Sequence, residues 1–300
     1  MDVLLIGAGV IGTVYGTQLA QAGHPVDVLD HGQRTRQIQR TGLAITNLAT
    51  GRHQMQRCSV VSDVSARNYD LVLVSVRADH LASTAAHLRA LPGTPTVMFL
   101  GNNPAGRQQL PAPIPGSTLL GFPGIGGTLR DDSVGYLRLR RQPTTLETGG
   151  GNVVVQFAAT LNRAGFPVVR SPDMDGWLAY HAVLVACICA ALYRLDGDAA
   201  ALADDRPALT LMCRSIEEGF SALAHGGTTG LPHNLHVLHR PLLRPVAVRY
   251  WAHTLRSPIG ECCFAAHARH AEPEMRALAL DVIQRAAAMP DTDHLRALLG

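Results

Sequence analysis

The sequence predicts an α/β protein, an N-terminal doubly wound, mostly parallel sheet followed by an all-helical C-terminal domain. Three observations predict it. The first thirty residues run in the order apolar segment, glycine turn, apolar helical segment, second apolar segment, acid. Strand-like and helix-like segments then alternate to about residue 170. From residue 173 strand signals vanish, and Ala/Leu-rich helical segments punctuated by Pro and Gly take over.

Residues 2–6 form an apolar run that reads as a buried strand. The turn after it is Gly7-Ala8-Gly9-Val10-Ile11-Gly12. Gly7 suits a tight turn, Gly9 lets a pyrophosphate approach the backbone, and Gly12 lets the following helix pack closely on the strand. The N–H groups at that helix start attract phosphate. Asp30 ends the second strand, where a carboxylate accepts hydrogen bonds from an adenosine ribose. Together these predict a Rossmann-type dinucleotide-binding domain over residues 1–170, and a helical substrate and dimerisation domain over 171–300.

Between these landmarks the reading is coarser. Residues 33–41 suit a helix, and 43–47 with 53–61 a hairpin around residues 49–51. Residues 70–76, 96–100 and 119–122 read as buried parallel strands, with a helix carrying Leu81, Ala85 and Leu88 after the first. Residues 123–127 read as a glycine turn, and 134–140 and 144–148 as edge strands that pair with each other. A helix over 153–164 and a strand over 166–169 complete the domain. The later helices are expected at 176–193, 207–225, 241–255, 259–270 and 273–288.

The chain has 300 residues, 47% apolar and 16% charged, as a compact globular protein of this size should. Its net charge of +3 is too small to argue for nucleic acid or an anionic membrane. All 26 basic residues are arginine, which excludes lysine acid–base and Schiff-base chemistry; the 14 histidines are the natural proton carriers. The six cysteines form no CxxC pair and read as buried thiols of a cytoplasmic protein. The apolar N-terminus lacks a basic leader region and a cleavage site, so the fingerprint explains it better than a leader does. The apolar stretch 182–192 is too short to span a bilayer and reads as a core helix. His233, His236 and His239 recur at three-residue spacing, but without a nearby acid or cysteine they read as a solvated surface; His267 and His270 near Glu272 read the same way, and no metal is expected.

Ligands of such a sheet lie beyond the carboxyl ends of its strands. There Arg77 offers a cation to an anionic cofactor or substrate, and Asn102 a side-chain amide to orient a substrate.

The order of these motifs resembles the ketopantoate reductase (2-dehydropantoate 2-reductase) family. The glycine fingerprint, Val76-Arg77-Ala78, Asn102 and a helical domain opening on the helix of Trp177 carry the resemblance over nearly the whole chain. It implies NADPH-dependent reduction of a 2-oxo acid to a 2-hydroxy acid. The family's catalytic lysine falls at Ala179, and its two following asparagines fall at Val183 and Cys187. Glu261 is the weak counterpart of the family's late glutamate. The chain is therefore expected to be a divergent member that reduces a 2-oxo acid or related carbonyl or imine other than ketopantoate. Its proton would come from His181, Glu261 or Tyr180. The alternative is a cofactor-binding protein without redox chemistry, a cyclase, an isomerase or a nucleotide sensor. The cofactor is NADP(H) or NAD(H): the resemblance favours NADP(H), with His31, Arg34 and Arg36 placed for a 2′-phosphate, whereas Asp30 favours an unmodified ribose. The expected partner is a small-molecule substrate, with a homodimer allowed.

Overall fold

Four apolar residues form β1 (Val3–Ile6), and all four are buried, because parallel neighbours flank the strand and both its faces are covered. A computed structural model describes residues 1–111, 113–130, 132–286, 289 and 291–300. The glycine turn leads into α1 (Val10–Gln21) and β2 (Val26–Leu29), which pairs in parallel with β1. Next come α2 (Gly32–Thr41) and the expected hairpin of β3 (Leu43–Asn47) and β4 (His53–Gln56). Ser59–Val60, expected to continue that hairpin, instead forms β5 and pairs with β2.

β6 (Leu71–Val74) flanks β1 on its other side. Two single 3₁₀ turns and the short α3 (Ala85–Arg89) stand where one helix was expected. They are followed by β7 (Thr96–Leu100), β8 (Ser117–Phe122), β9 (Ile125–Leu129), β10 (Val134–Arg138), β11 (Thr144–Glu147), α4 (Gly151–Arg163) and β12 (Val168–Ser171).

These strands build two sheets. The larger has the order β12-β11-β8-β7-β6-β1-β2-β5 and is parallel except where β11 runs against β8. The smaller has the order β4-β3-β10-β9. Residues 123–127 are thus not simply a turn. Gly127 lies in β9 because the Gly135 carbonyl of the paired β10 leaves no room for a Cβ there. The strands expected at 134–140 and 144–148 do not pair, since β10 goes to the small sheet and β11 to the large one. The last strand sits two residues later than expected because Phe166 turns into the core, edge-on to Tyr15.

Helix α1 packs on β3, β9 and β10 of the small sheet as well as on β1 and β2, so residues 12–19 are buried all round. That double cover explains why apolar and buried residues are not confined to one face of the helix. At its centre Tyr15 hydrogen-bonds Thr144 Oγ1 at 2.5 Å and accepts from the Gly124 N–H at 3.2 Å; burial pushes its hydroxyl up to about 12.

The chain divides into two compact units, Met1–Asn102 with Arg107–Pro172, and Asn103–Gly106 with Asp173–Gly300. The second is helical: α5 (Met174–Tyr193), α6 (Ala199–Asp204), α7 (Arg206–His225), α8 (His233–Leu238), α9 (Arg244–Leu255), α10 (Ala266–His270), α11 (Glu272–Ala286) and α12 (Asp293–Leu299). Asp173, Asp198 and Asp205 accept first-turn N–H groups and so fix the starts of α5, α6 and α7. A 3₁₀ turn precedes α9 and a π turn, Gly260–Ala265, precedes α10, where the sequence suggested unbroken helices. Helices α6, α8 and α12 were not anticipated, being too short for a periodic pattern. Of the helix expected to end at 288, residues 287 and 288 lie outside the described residues, as does Pro290.

Helix α5 is longer than the apolar stretch that marked it. It has the length and hydropathy to cross a bilayer, yet 83% of its most apolar window is buried in this unit. It is the central helix of the helical core, packed on α7, α11 and α12.

Replacing Tyr15 with Phe removes the hydroxyl that ties α1 to β11 and to the β8–β9 turn. The expected loss is about 1 kcal/mol of unfolding free energy with the fold retained, read by urea denaturation with circular dichroism as control.

Candidate active site

The glycine turn lies at the carboxyl end of β1, where β2 continues to one side and β6 to the other, the position at which such sheets bind ligands. Gly7 adopts φ +90°, and a Cβ there would come within 2.8 Å of Val76 Cγ1. A Cβ on Gly12 would overlap the Gly7 carbonyl oxygen and lie 2.6 Å from Ser75 Oγ. Around Gly9 the opposite holds: nothing stands within 4 Å of where its Cβ would be. The residues therefore fit a dinucleotide, with a tight strand–helix contact on one side and open backbone on the other. Gly9 is the N-cap of α1 and offers no side chain, so the helix geometry leaves the N–H groups of Val10, Ile11 and Gly12 without intrahelical acceptors.

The turn is held from several directions. Ser75 at the end of β6 donates to the Gly7 carbonyl at 2.8 Å. Thr13 Oγ1 donates to the Ala8 carbonyl at 2.9 Å. Asp30 accepts from the Ala8 N–H at 2.6 Å and from the His31 N–H at 2.7 Å. Arg34 donates through Nε to the Ala8 carbonyl at 2.9 Å, through Nη2 to Thr13 at 2.8 Å and through Nη1 to Gln37 at 2.6 Å. Ser75 and Thr13 were not singled out from the sequence; a hydroxyl residue next to the third glycine and another closing an apolar strand were the available signals.

The remaining candidates are spread over both units. His31 is exposed at the start of α2, its side chain 94% accessible. Arg77, after β6, is exposed and donates to Asp79 at 3.1 and 2.9 Å. Asn102 is half-buried just after β7, so it and Arg77 share the strand ends that carry the glycine turn. In the helical unit His181 is buried and stacked on Trp177, ring centroids 4.9 Å apart, as their spacing along α5 predicts. Burial lowers its imidazole to about 3. Tyr180 donates to the Thr228 carbonyl at 2.9 Å. Glu261 lies in the π turn, exposed and ion-paired with Arg269, which also donates to the Gly197 carbonyl at 2.8 Å.

Ala179 lines a mostly apolar cavity in the helical unit together with Val183, Gly219, Leu223 and Val282, with the Asp281–Arg285 ion pair at its wall. Gly219 lets α7 approach Val183 here, since a Cβ would stand 2.5 Å from Val183 Cγ1.

The three-residue histidine series does not form one surface. His233 and His236 are exposed, but His239 is buried against Phe220 and Trp251, which corrects the reading of a solvated stretch. The third histidine, just past the end of the short helix α8, turns inward. Neither ring nitrogen of His239 has a hydrogen-bond partner among the described residues, and burial lowers it to about 4. Among the described residues no group of three or more His, Cys, Asp or Glu side chains is placed to hold a metal.

Residues 3–142 match the family model described as ketopantoate reductase PanE/ApbA. Over these residues the chain is similar to a ketopantoate reductase PanE/ApbA domain. The whole chain has the fold of solved structures of that kind. A PanE/ApbA family ketopantoate reductase from Ralstonia eutropha JMP134 superposes with a TM-score of 0.79 at 23% identity, covering 100% of this chain and 96% of the other. A D-mandelate dehydrogenase bound to NADH and anilino(oxo)acetate gives 0.76 at 16% identity, covering 100% and 96%. A dimeric ketopantoate reductase from Staphylococcus aureus gives 0.70 at 15% identity, with the same coverage. No curated protein matches the chain in sequence.

Two outcomes follow from this geometry. Gly9→Ala keeps the melting temperature, because space surrounds that position, but weakens NADH and NADPH binding by about tenfold or more. Gly12→Ala lowers the melting temperature as well; thermal melts and cofactor fluorescence titrations separate the two. The second outcome concerns pH. His181 and His239 are neutral in the folded protein down to about 3 and about 4, whereas the unfolded chain protonates them below their ordinary 6.5. The unfolded state then binds more protons, so stability falls as pH drops from about 6.5 toward 4, by at most about 1.4 kcal/mol per pH unit for each histidine. Urea denaturation at pH 7 and pH 5 measures this, and His239→Phe flattens the dependence.

Proposed function

We propose that this protein is an NAD(P)-dependent oxidoreductase that reduces the carbonyl of a 2-oxo acid, or a related carbonyl or imine, other than ketopantoate. The observation that carries the reading is the glycine turn between β1 and α1, held rigidly at Gly7 and Gly12 and open at Gly9. When bound there, a reduced nicotinamide dinucleotide supplies a hydride equivalent to an electrophilic carbon. Gly7 to Gly12 hold the pyrophosphate, Arg77 pairs with an anionic group of cofactor or substrate, and Asn102 orients the substrate.

The proton is the part of the chemistry that differs from the family pattern. Where the resemblance puts lysine, Ala179 lines an apolar cavity, and Val183 and Cys187 on the same helix are buried. Among the candidate donors, His181 is neutral, so it acts as an N–H hydrogen-bond donor to developing negative charge rather than as an imidazolium acid. Glu261 is the candidate that would give the resulting alkoxide its proton, and to do so it would have to leave its pairing with Arg269 and be protonated when it meets the substrate. The protein would act in the cytoplasm, where its six free cysteines stay reduced, and as a homodimer.

A second reading is favoured by the same apolar α5 face: the chain binds the dinucleotide but performs no net redox chemistry, serving as a cyclase, isomerase or nucleotide sensor. NADH and NADPH oxidation against a panel of 2-oxo acids and cyclic imines decides between them. Turnover of a 2-oxo acid or a cyclic imine, with ketopantoate inert, is the expected result. Tight cofactor binding with no turnover of any panel member would overturn the reductase and leave the second reading.

A further inference from the structure

Asp30 and Arg34 were expected to compete for the adenosine end of the cofactor, one favouring a free ribose and the other a 2′-phosphate. The structure gives both a different task. They grip opposite sides of a single residue, Ala8, in the middle of the glycine turn. Asp30 takes its N–H at 2.6 Å and Arg34 takes its C=O at 2.9 Å. The other carboxylate oxygen of Asp30 is held by the His31 N–H, and the two Nη atoms of Arg34 by Thr13 and Gln37. The Asp30 side chain is only 12% exposed, so its charge is fixed in place at the carboxyl end of β2.

We propose that this clamp makes the protein an NADH enzyme, with Asp30 as both the positioning residue of the glycine turn and the residue that rejects a 2′-phosphate. The inference rests on the dinucleotide reading above and deepens it. A carboxylate has about four acceptor positions, and Ala8 and His31 take one each, which leaves room for ribose hydroxyls to donate. A 2′-phosphate at the same place meets a like charge. Asp30 cannot swing aside to relieve it without releasing the Ala8 N–H on which the phosphate-binding turn depends. Arg34 cannot turn outward to neutralise it without giving up three hydrogen bonds, one to the turn at Ala8, one to Thr13 in α1 and one to Gln37. Of the basic side chains named near β2, that leaves His31 and Arg36, both exposed.

Asn and Ala at position 30 separate the two roles. Asp30→Asn keeps an oxygen for the Ala8 N–H while removing the charge, at the expense of the local bond to His31. Asp30→Ala removes charge and clamp together. Dissociation constants for NADH and NADPH are measured by fluorescence titration on the full-length protein and both variants, with thermal melts alongside. The wild type is expected to bind NADH at least about tenfold more tightly than NADPH. Asp30→Asn is expected to bring the ratio toward unity, chiefly by tightening NADPH, and Asp30→Ala to weaken both cofactors. Equal or tighter NADPH binding by the wild type, or an unchanged ratio in a folded Asp30→Asn protein, would overturn the inference while leaving the dinucleotide site standing. If Asp30→Asn does not fold, the wild-type ratio alone decides. Failure of the wild type to bind either cofactor would overturn the dinucleotide reading and the inference with it.

Discussion

The contact between Gly12 and the Gly7 carbonyl governs the N-terminal unit. It sets how closely α1 can cross the end of β1, and Ser75 ties the same carbonyl to β6. Because α1 is held this close, its far side meets β3, β9 and β10, and the small sheet has a surface to pack on. Tyr15 completes the arrangement by bonding Thr144 and Gly124 from within the core. A side chain at position 12 would push on all of these at once. The glycine around which the turn stays open and the one that admits the helix are therefore different residues, Gly9 and Gly12.

The helical unit is organised by burial rather than by hydrogen bonding. Helix α5 is apolar on every face because α7, α11 and α12 surround it. Polar side chains placed on or against such a core lose water, and the histidines show the consequence: His181 stacks on Trp177 and His239 sits among Phe220 and Trp251, and both are held neutral. Ala179, Val183 and Cys187 belong to the same apolar surroundings. A lysine at 179 would have needed a polar face on this helix, and the face is not there. Position 179 and its neighbours thus share one apolar character, set by the packing around α5.

The places of the candidate residues in the fold were legible from the sequence. The fingerprint glycines, Asp30, Arg77 and Asn102 fall at strand ends because buried parallel strands are continuous apolar runs whose ends are marked by glycine and polar residues. The pairing of strands was less legible. Residues 125–129 and 134–138 contain Gly126, Gly127 and Gly135, which propensity reads as turn, and only the close approach of β9 to β10 makes glycine useful there. Short helices such as α6, α8 and α12 carry too few residues to show a period, and His239 looked like its exposed neighbours for that reason.

Sequence by itself determined the α/β plan, the glycine turn, the change to helix near residue 173, and the absence of any lysine to act as acid or base. Each is a local matter of residue type and spacing. Tertiary structure decided which side chains are available to a ligand. Asp30 and Arg34 are twenty-odd residues from Ala8 in the chain, and nothing in their own neighbourhood shows that both close on it. Hydrogen bonds between strand ends depend on the register of β1 against β2, and that register exists only once the sheet has formed.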